Sequence, residues 1–489
     1  MSPTYDIVIG LEVHVQLATA TKLFCRCATT FGAPPNTQTC PVCIGMPGSL
    51  PVTNRQAYRL ALRTALALNC EIPRSTKWDR KQYYYPDLPK GYQISQYDLP
   101  MSQDGYLEIR DAKGAFEPKR VGIIRAHLEE DAGKSMHDEA AGKADSRIDL
   151  NRAGTPLLEI VTQPDLRSAA EAKAFLNELK LLLTYLSVSD CNMQEGSLRV
   201  DANINLHVHS PEGKIPTPIV EVKNMNSFRA VERALVHEAE RQFEFWRETG
   251  KRLGDVPKQT RGWDDVAEVT RGQRHKEESS DYRYFPDPDL VPVVPSEAEL
   301  AAARAELGEL PSALRQRLET SLGVKPYDAD VLVNQGRPLV EYFLALAQRS
   351  GDARLASNWM QQDVQRTLGE TKTTIEEFPI SAQRLAELLA RVKNGEIDTA
   401  RARQAFQIML AERKSAAEAI ADLGFAPVDE SELIELCRQL VAENPKIVAD
   451  VKAGQTKAAA GLIGQAKKRS PNVNPARVRE ICLQLISEL

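Results

Sequence analysis

The chain is predicted to be α+β, with a sheet-rich N-terminal part followed by helices. Three observations carry this. Polar and apolar side chains alternate at a period of two in several stretches of the first 290 residues. From Ser296 onward the composition shifts to Ala, Leu, Glu, Gln and Arg. Segments of helical spacing separated by Gly and Pro then run to the end. A length of 489 residues suggests roughly three domains, expected at residues 1–292, 293–405 and 406–489. Apolar residues make up 42% and charged residues 26%, ordinary for a soluble globular protein. No apolar run approaches the ~18 residues of a membrane span. The start, Met1-Ser2-Pro3-Thr4-Tyr5-Asp6, lacks the basic and apolar parts of a signal peptide, so a cytoplasmic protein is expected. A net charge of −5 argues against a chain coated in nucleic acid but leaves room for a local basic patch.

The elements follow in order. Ile7, Ile9, Leu11, Val13 and Val15 alternate with Val8, Gly10, Glu12, His14 and Gln16, a half-buried strand that presents Glu12 and His14 on one face. Such a pair is often simply solvated. Cys25-Arg26-Cys27 and Cys40-Pro41-Val42-Cys43 are two close cysteine pairs. In a reducing compartment they match a closed four-thiolate site for structural Zn²⁺; the alternative is four unmetallated thiols. Cys70, Cys191, Cys437 and Cys482 stand alone and read as buried small apolar residues.

Asn54 to Asn69 has helical Ala/Leu spacing. Lys77 to Tyr92 interleaves cations and aromatics on a Pro/Gly-rich loop. It suits base stacking or a polar conduit, or equally an exposed hairpin whose tyrosines pack on the sheet. Val121 to Ala126 reads as a strand leading into His127-Leu128-Glu129-Glu130-Asp131-Ala132-Gly133-Lys134-Ser135. At period two, His127, Glu129 and Asp131 share one face and Glu130 the other. Carboxylates with an imidazole suit Mg²⁺ or Mn²⁺, and Lys134 suits a phosphate; a solvated acidic turn explains the segment as well. Gly133-Lys134-Ser135 is not a P-loop, because position 128 is Leu rather than Gly.

Asp149 to Pro156 is a turn into Leu157-Leu158-Glu159-Ile160-Val161, where a lone carboxylate interrupts an apolar strand. A buried Glu is costly unless paired with a cation or metal, which singles out Glu159. Ser168 and Glu171 form a predicted capping box for a helix to about Leu186. Arg199, Asp201, Asn203, Asn205, His207 and His209 alternate with apolar partners, as the outer face of a sheet or the floor of a cleft. Glu221 and Lys223 share a face of the next strand. Together these pieces suggest one antiparallel sheet with a polar face. Residues 251–281 are expected to be a mobile loop. Asp281 to Asp289 closes the first domain, and Val291–Pro295 is a linker. Helices are expected to start at Ser312, Asp328 and Ser381. Between Val451 and Arg479 lie seven basic residues and no acid. They include Lys457, Lys467, Lys468 and Arg469, a candidate phosphate-binding surface or a plain solvated helix face.

At this point a resemblance emerges. Gly10-Leu-Glu-Val-His14, Tyr92-Gln-Ile-Ser-Gln96, His127 to Lys134, Asp149-Leu-Asn-Arg152, Glu195 to Asn203, Lys223 to Ser227 and Asp281 to Pro286 resemble motifs of the B subunit of the aspartyl/glutamyl-tRNA(Asn/Gln) amidotransferases. Ala460-Gly-Leu-Ile-Gly-Gln465 is similar to that family's C-terminal domain, so the likeness spans essentially the whole chain. It implies a cradle-shaped, glutamine-synthetase-like sheet domain, a helical domain and a helical tail that touches tRNA. It also implies a glutamine-hydrolysing carbon–nitrogen ligase. ATP would phosphorylate the side-chain carboxylate of Glu-tRNA(Gln) or Asp-tRNA(Asn), and ammonia would displace the phosphate. That ammonia would be channelled from an amidase, the A subunit, with the small C subunit completing a heterotrimer. By the same resemblance, His14, Glu129 or Glu130, and Glu159 would hold Mg²⁺. Glu12, Glu195 and Arg199 would line the ATP side, with Asp201, Asn203, Glu221 and Lys223 around them. Lys81, Lys90 and Tyr92 would lie on the ammonia path. Zinc is incidental to catalysis in such a family.

Phosphoryl transfer asks mainly for positioning and charge neutralisation, and this acid-rich chain without a Ser-His-Asp set agrees. Two other classes remain open from the residues alone. A small-molecule carboxylate–amine ligase would lack a use for the basic tail. A non-catalytic zinc-containing RNA-binding protein would lack a use for the acids.

Overall fold

The computed structural model describes residues 4–137, 146–211, 213–273, 282–424, 430–470, 473 and 475–488. The chain divides into two compact units, Met1–Ala313 and Leu314–Leu489. Strands of the first unit are β1 (Tyr5–Gln16), β2 (Asp79–Gln82), β3 (Tyr92–Ser95), β4 (Gln103–Ile109), β5 (Lys119–Glu130), β6 (Lys134–His137) and β7 (Ser146–Asp149). They continue as β8 (Pro156–Thr162), β9 (Leu198–Ser210), β10 (Gly213–Pro216), β11 (Val220–Lys223), β12 (Gln259–Asp264), β13 (Val269–Gly272) and β14 (Phe285–Pro286). The main sheet runs β13-β12-β11-β9-β1-β8-β5-β4, with β10 added on β9. Smaller sheets are β14-β2-β3 and β6-β7. The α+β prediction therefore holds.

The alternation of β1 explains its place at the centre of the sheet. Ile9, Leu11, Val13 and Val15 are buried and join one core with Leu60 and Ala61 of helix Arg55–Ala67, Phe175 and Leu179 of helix Ala169–Tyr185, and Val231 and Leu235 of helix Phe228–Thr249. Covering one face with helices leaves the other for polar groups. The Asn54 side chain caps the first helix, accepting from the Gln56 and Ala57 amides. Ser168 caps the second by accepting from Glu171 N. The expected capping box is only half formed, because Glu171 turns its carboxylate to Arg167 N and Lys119.

Two expectations need correction. The main sheet is not wholly antiparallel: β11 and β12 pair in parallel, since helix Phe228–Thr249 carries the chain back before β12 begins. Residues 251–281 are not simply a loop, because β12 and β13 lie inside them and Trp263 is buried. Residues 274–281, including Asp281, lie outside the described residues.

A register slip between Ile123 and Arg125 in β5 decides which side chains reach the polar face. Before it, Val121 and Ile123 are buried on the helix-covered side; after it, Ala126 and Leu128 are. Unbroken alternation from Val121 would have sent His127 and Glu129 into the apolar core. The bulge absorbs Ile124, which is exposed, and turns both acid-cluster residues outward.

The first unit also takes in helix Glu297–Glu306, whose Leu300 and Ala303 join its core. The second unit is helical among its described residues. Ser381 caps helix Ala382–Lys393 as the sequence predicts. Near the chain's end Leu433, Cys437, Leu440, Leu462, Val478 and Cys482 form a core of their own. The four isolated cysteines are buried, as expected. Among the described residues, no helix is long and apolar enough to cross a membrane.

Candidate active site

One cross-strand row organises the polar face. Arg199 on β9 stands opposite His14 on β1, His14 opposite Glu159 on β8, and Glu159 opposite His127 on β5. Glu129 lies two residues along β5 from His127, on the same face. His14 Nε2 is 3.6 Å from Glu159 Oε2 and 4.0 Å from Glu129 Oε1. His127 Nε2 is 3.4 Å from Glu159 and 3.8 Å from Glu129. Ser95 Oγ donates to Glu129 at 3.1 Å. Buried carboxylates need such company. Burial alone would raise the Glu159 carboxyl, but His127, His14 and Lys81 hold it well below the usual carboxylate range. Burial works to lower the His14 imidazole, and the Glu159 and Glu129 carboxylates outweigh it and hold it up.

Arg199, His14 and Glu159 of the row, with Glu129, line a cavity of about 570 Å³, within the ~300–1,000 Å³ of small-molecule sites; His127 sits behind them, against Glu159 and Glu129. Glu12, His14, Lys81, Glu129, Glu159, Arg199, Asp201, Glu221 and Lys223 all line it. Asn203 adjoins them, its Nδ2 donating to Glu12 Oε1 at 2.9 Å. Lys223 Nζ lies 2.6 Å from Asp201 and 3.3 Å from Glu221. Arg199 reaches Asp131 at 2.9 Å. Burial works against the Asp131 charge, but Arg199 and Arg152 hold its carboxyl down. His14, Glu129 and Glu159 bring ligand atoms within 4.8 Å of one another. One imidazole with two carboxylates is a donor set for a hard divalent cation. Glu12, Asp201 and Glu221 form a second such group.

Three expected members are not brought to this cavity. Glu130 follows Glu129 on β5 and so points to the opposite face, where it pairs with Lys90 and accepts from Ile94 N. Lys134 is exposed on β6, and Glu195 is exposed on the loop before β9, lining a different, smaller cavity. Lys90 and Tyr92 line a separate cavity of about 210 Å³ with Glu130, Cys25 and Cys43. Only Lys81 of the three ammonia-path candidates faces the acid row. Gln93 lines the larger cavity, and its amide donates to the Glu130 carbonyl at 2.7 Å.

Asp131, His127 and Lys22 carry more than the sequence reading assigned to them. The first two sit in the acidic motif, but their partners on β9 and β8 are visible only in the register. Lys22 is fully buried, with Nζ 3.6 Å from Cys43 Sγ and otherwise on the carbonyls of Gln38 and Leu150. The four sulfurs of Cys25, Cys27, Cys40 and Cys43 lie within 4.8 Å of one another. The Cys25 thiol's hydrogen bond, with Lys22 beside it, holds Cys43 down to about 4. A buried lysine beside one sulfur favours that sulfur's ionised form, and four sulfurs this close fit Zn²⁺.

In the second unit Lys467 and Lys468 are exposed at the end of helix Ala460–Arg469, and Arg469 pairs with Glu443. The Lys457 side chain lies outside the described ones.

The model of the GatB/GatE catalytic domain matches residues 7–301, and that of the GatB domain matches residues 341–486. A protein of Rhodopirellula baltica is 59% identical over 482 residues, covering 99% of this chain and 97% of its own. One from Moorella thermoacetica is 45% identical over 480 residues, covering 98% of each. Both are named as the B subunit of aspartyl/glutamyl-tRNA(Asn/Gln) amidotransferase.

Proposed function

This chain belongs to the B-subunit family of the aspartyl/glutamyl-tRNA(Asn/Gln) amidotransferases, and from that premise we propose that it is the kinase and transamidase of such an enzyme. Its substrates are Glu-tRNA(Gln), Asp-tRNA(Asn) or both, and it acts in the cytoplasm with an amidase (the A subunit) and a small C subunit. The γ-phosphoryl group of ATP passes to the side-chain carboxylate. Ammonia then attacks that carbon, phosphate leaves, and the amide remains. The observation that carries this reading is the single row of Arg199, His14, Glu159 and His127 with Glu129 beside it.

A bound Mg²⁺ would neutralise phosphate charge. His14, Glu129 and Glu159 are the residues to hold it. Arg199 and Lys81 offer cations to the oxygens on which charge develops. Glu12, Asp201 and Glu221, tied to Asn203 and Lys223, surround the nucleotide side. The Lys90–Glu130 pair and Tyr92 lie in the neighbouring cavity, on the side from which ammonia would come, and Lys81 receives it. Lys457, Lys467 and Lys468, with Arg469 partly neutralised, are tRNA contacts. The division into cradle, helical and tail domains at residues 292 and 405 belongs to the same proposal.

The test is amidation by the chain co-expressed with its two partner subunits, omitting ATP, Mg²⁺ and glutamine in turn and supplying free ammonia as a bypass. The reading predicts that ammonia replaces glutamine while ATP and Mg²⁺ stay essential. Absence of amide on either tRNA under every condition would reject it.

A further inference from the structure

Five tyrosine rings follow one another in series, three of them lining the large cavity and two continuing beyond its lining. Tyr85 meets Tyr83 at 5.8 Å between centroids, Tyr83 meets Tyr282 at 6.0 Å, and Tyr282 meets Tyr284 at 6.0 Å. Tyr284 then lies flat on Tyr97, at 4.1 Å with 6° between the planes. Tyr83, Tyr85 and Tyr282 line the cavity, whereas Tyr97 is 51% exposed. Rings packed only to fill a core would be covered at both ends. Here Tyr85, at 44%, and Tyr97 remain open.

Cations accompany the ribbon. Lys81 Nζ sits 4.8 Å from the centre of the Tyr282 ring, and Arg125 donates to the Tyr97 carbonyl at 3.1 Å. Flat rings with cations beside them are the means by which proteins hold unpaired nucleotides. Every base has a face that stacks, and the cations meet the backbone phosphates. Half-exposed Tyr97 ends a parallel pile two rings deep, and a further planar base would extend such a pile better than an aliphatic side chain.

We infer that Tyr97 and Tyr284 form the stacking step for the unpaired 3′-terminal nucleotides of the aminoacyl-tRNA, so that the esterified amino acid is led along Tyr282 to Lys81 and the acid row. This rests on the amidotransferase reading. Both residues position the substrate and touch none of the reacting atoms.

Steady-state amidation by the assembled heterotrimer, with free ammonia as donor, tests it. For Tyr97→Ala and Tyr284→Ala the KM for aminoacyl-tRNA is expected to rise roughly 5- to 100-fold, with kcat at saturation unchanged. Tyr97→Phe should restore the KM, and Tyr97→Leu, which keeps bulk without a flat ring, should not. Equilibrium binding supplies a second readout. The wild type should bind tRNA lacking its 3′-terminal dinucleotide more weakly than intact tRNA, and Tyr97→Ala should bind both alike. Alanine and leucine variants that assemble, melt as the wild type does and show its KM and its discrimination would overturn the inference while leaving the reading intact. A wild-type complex that amidates neither tRNA would defeat the reading, and the stacking step with it.

Discussion

Glu129 and Glu130 are neighbours on β5, yet they face cavities with opposite charge problems. Around Glu129, six carboxylates line the space against three side-chain cations and one imidazole. Around Glu130, Lys90 pairs with the carboxylate, and nearby buried Lys22 donates to the Gln38 and Leu150 carbonyls and to the Cys43 sulfur. Excess negative charge in the first calls for a hard cation from solution. Excess positive charge in the second calls for ionised thiols, which a soft metal stabilises. The difference teaches that neighbouring residues of one strand can face a carboxylate-rich cavity and a thiol-lined one, once the bulge in β5 has set the alternation. The open, oxygen-rich space suits chemistry, and the closed sulfur set suits holding the knuckle together.

The largest effect that could break this comparison is on the acid side. Glu129→Gln should lower ammonia-driven amidation about 10²- to 10³-fold, the scale of removing one preorganised charge-stabilising group, with zinc content unaltered. Loss of zinc together with activity would show the cavities to be one unit rather than two. On the sulfur side, Cys43→Ser should reduce zinc by ICP-MS from about one per chain to nearly none. Its melting temperature should fall by about 2–4 °C for each kcal/mol lost. Ammonia-driven amidation by the assembled enzyme should persist. A wild-type protein without zinc would remove that half of the comparison. The smallest effect expected is for Lys22→Met, roughly tenfold weaker zinc retention against a chelator. Unchanged retention would mean that Lys22 is not the thiolates' counter-charge.

The two cavities also differ in how far they can be read from the sequence. Cys25, Cys27, Cys40 and Cys43 fall within one short stretch, so spacing alone brings them together. The acid row draws one residue from each of four strands. Alternation shows which side chains share a face of a strand, and the isolated carboxylate at Glu159 is conspicuous in its apolar strand. Neither reveals that His14 stands between Arg199 and Glu159, because register is set by long-range pairing. The bulge at Ile124 is masked by an apolar run that reads as continuous strand. Lys134 and Glu195 lie within the right motifs, yet β6 and the turn before β9 carry them away from the cavity. The parallel β12 was hidden because its polar sequence resembles a loop, and only the buried Trp263 hints otherwise.

The most direct test of the acid row is Glu159→Gln, which keeps the side chain's shape and removes its charge. Co-expressed with its amidase and small partner subunits, the variant should assemble in wild-type yield and bind tRNA. Supplied with ATP, Mg²⁺ and free ammonia, it should give amidation of Glu-tRNA(Gln) and Asp-tRNA(Asn) no faster than background. Amidation at the wild-type rate would contradict the account and remove Glu159, and with it the row, from the chemistry.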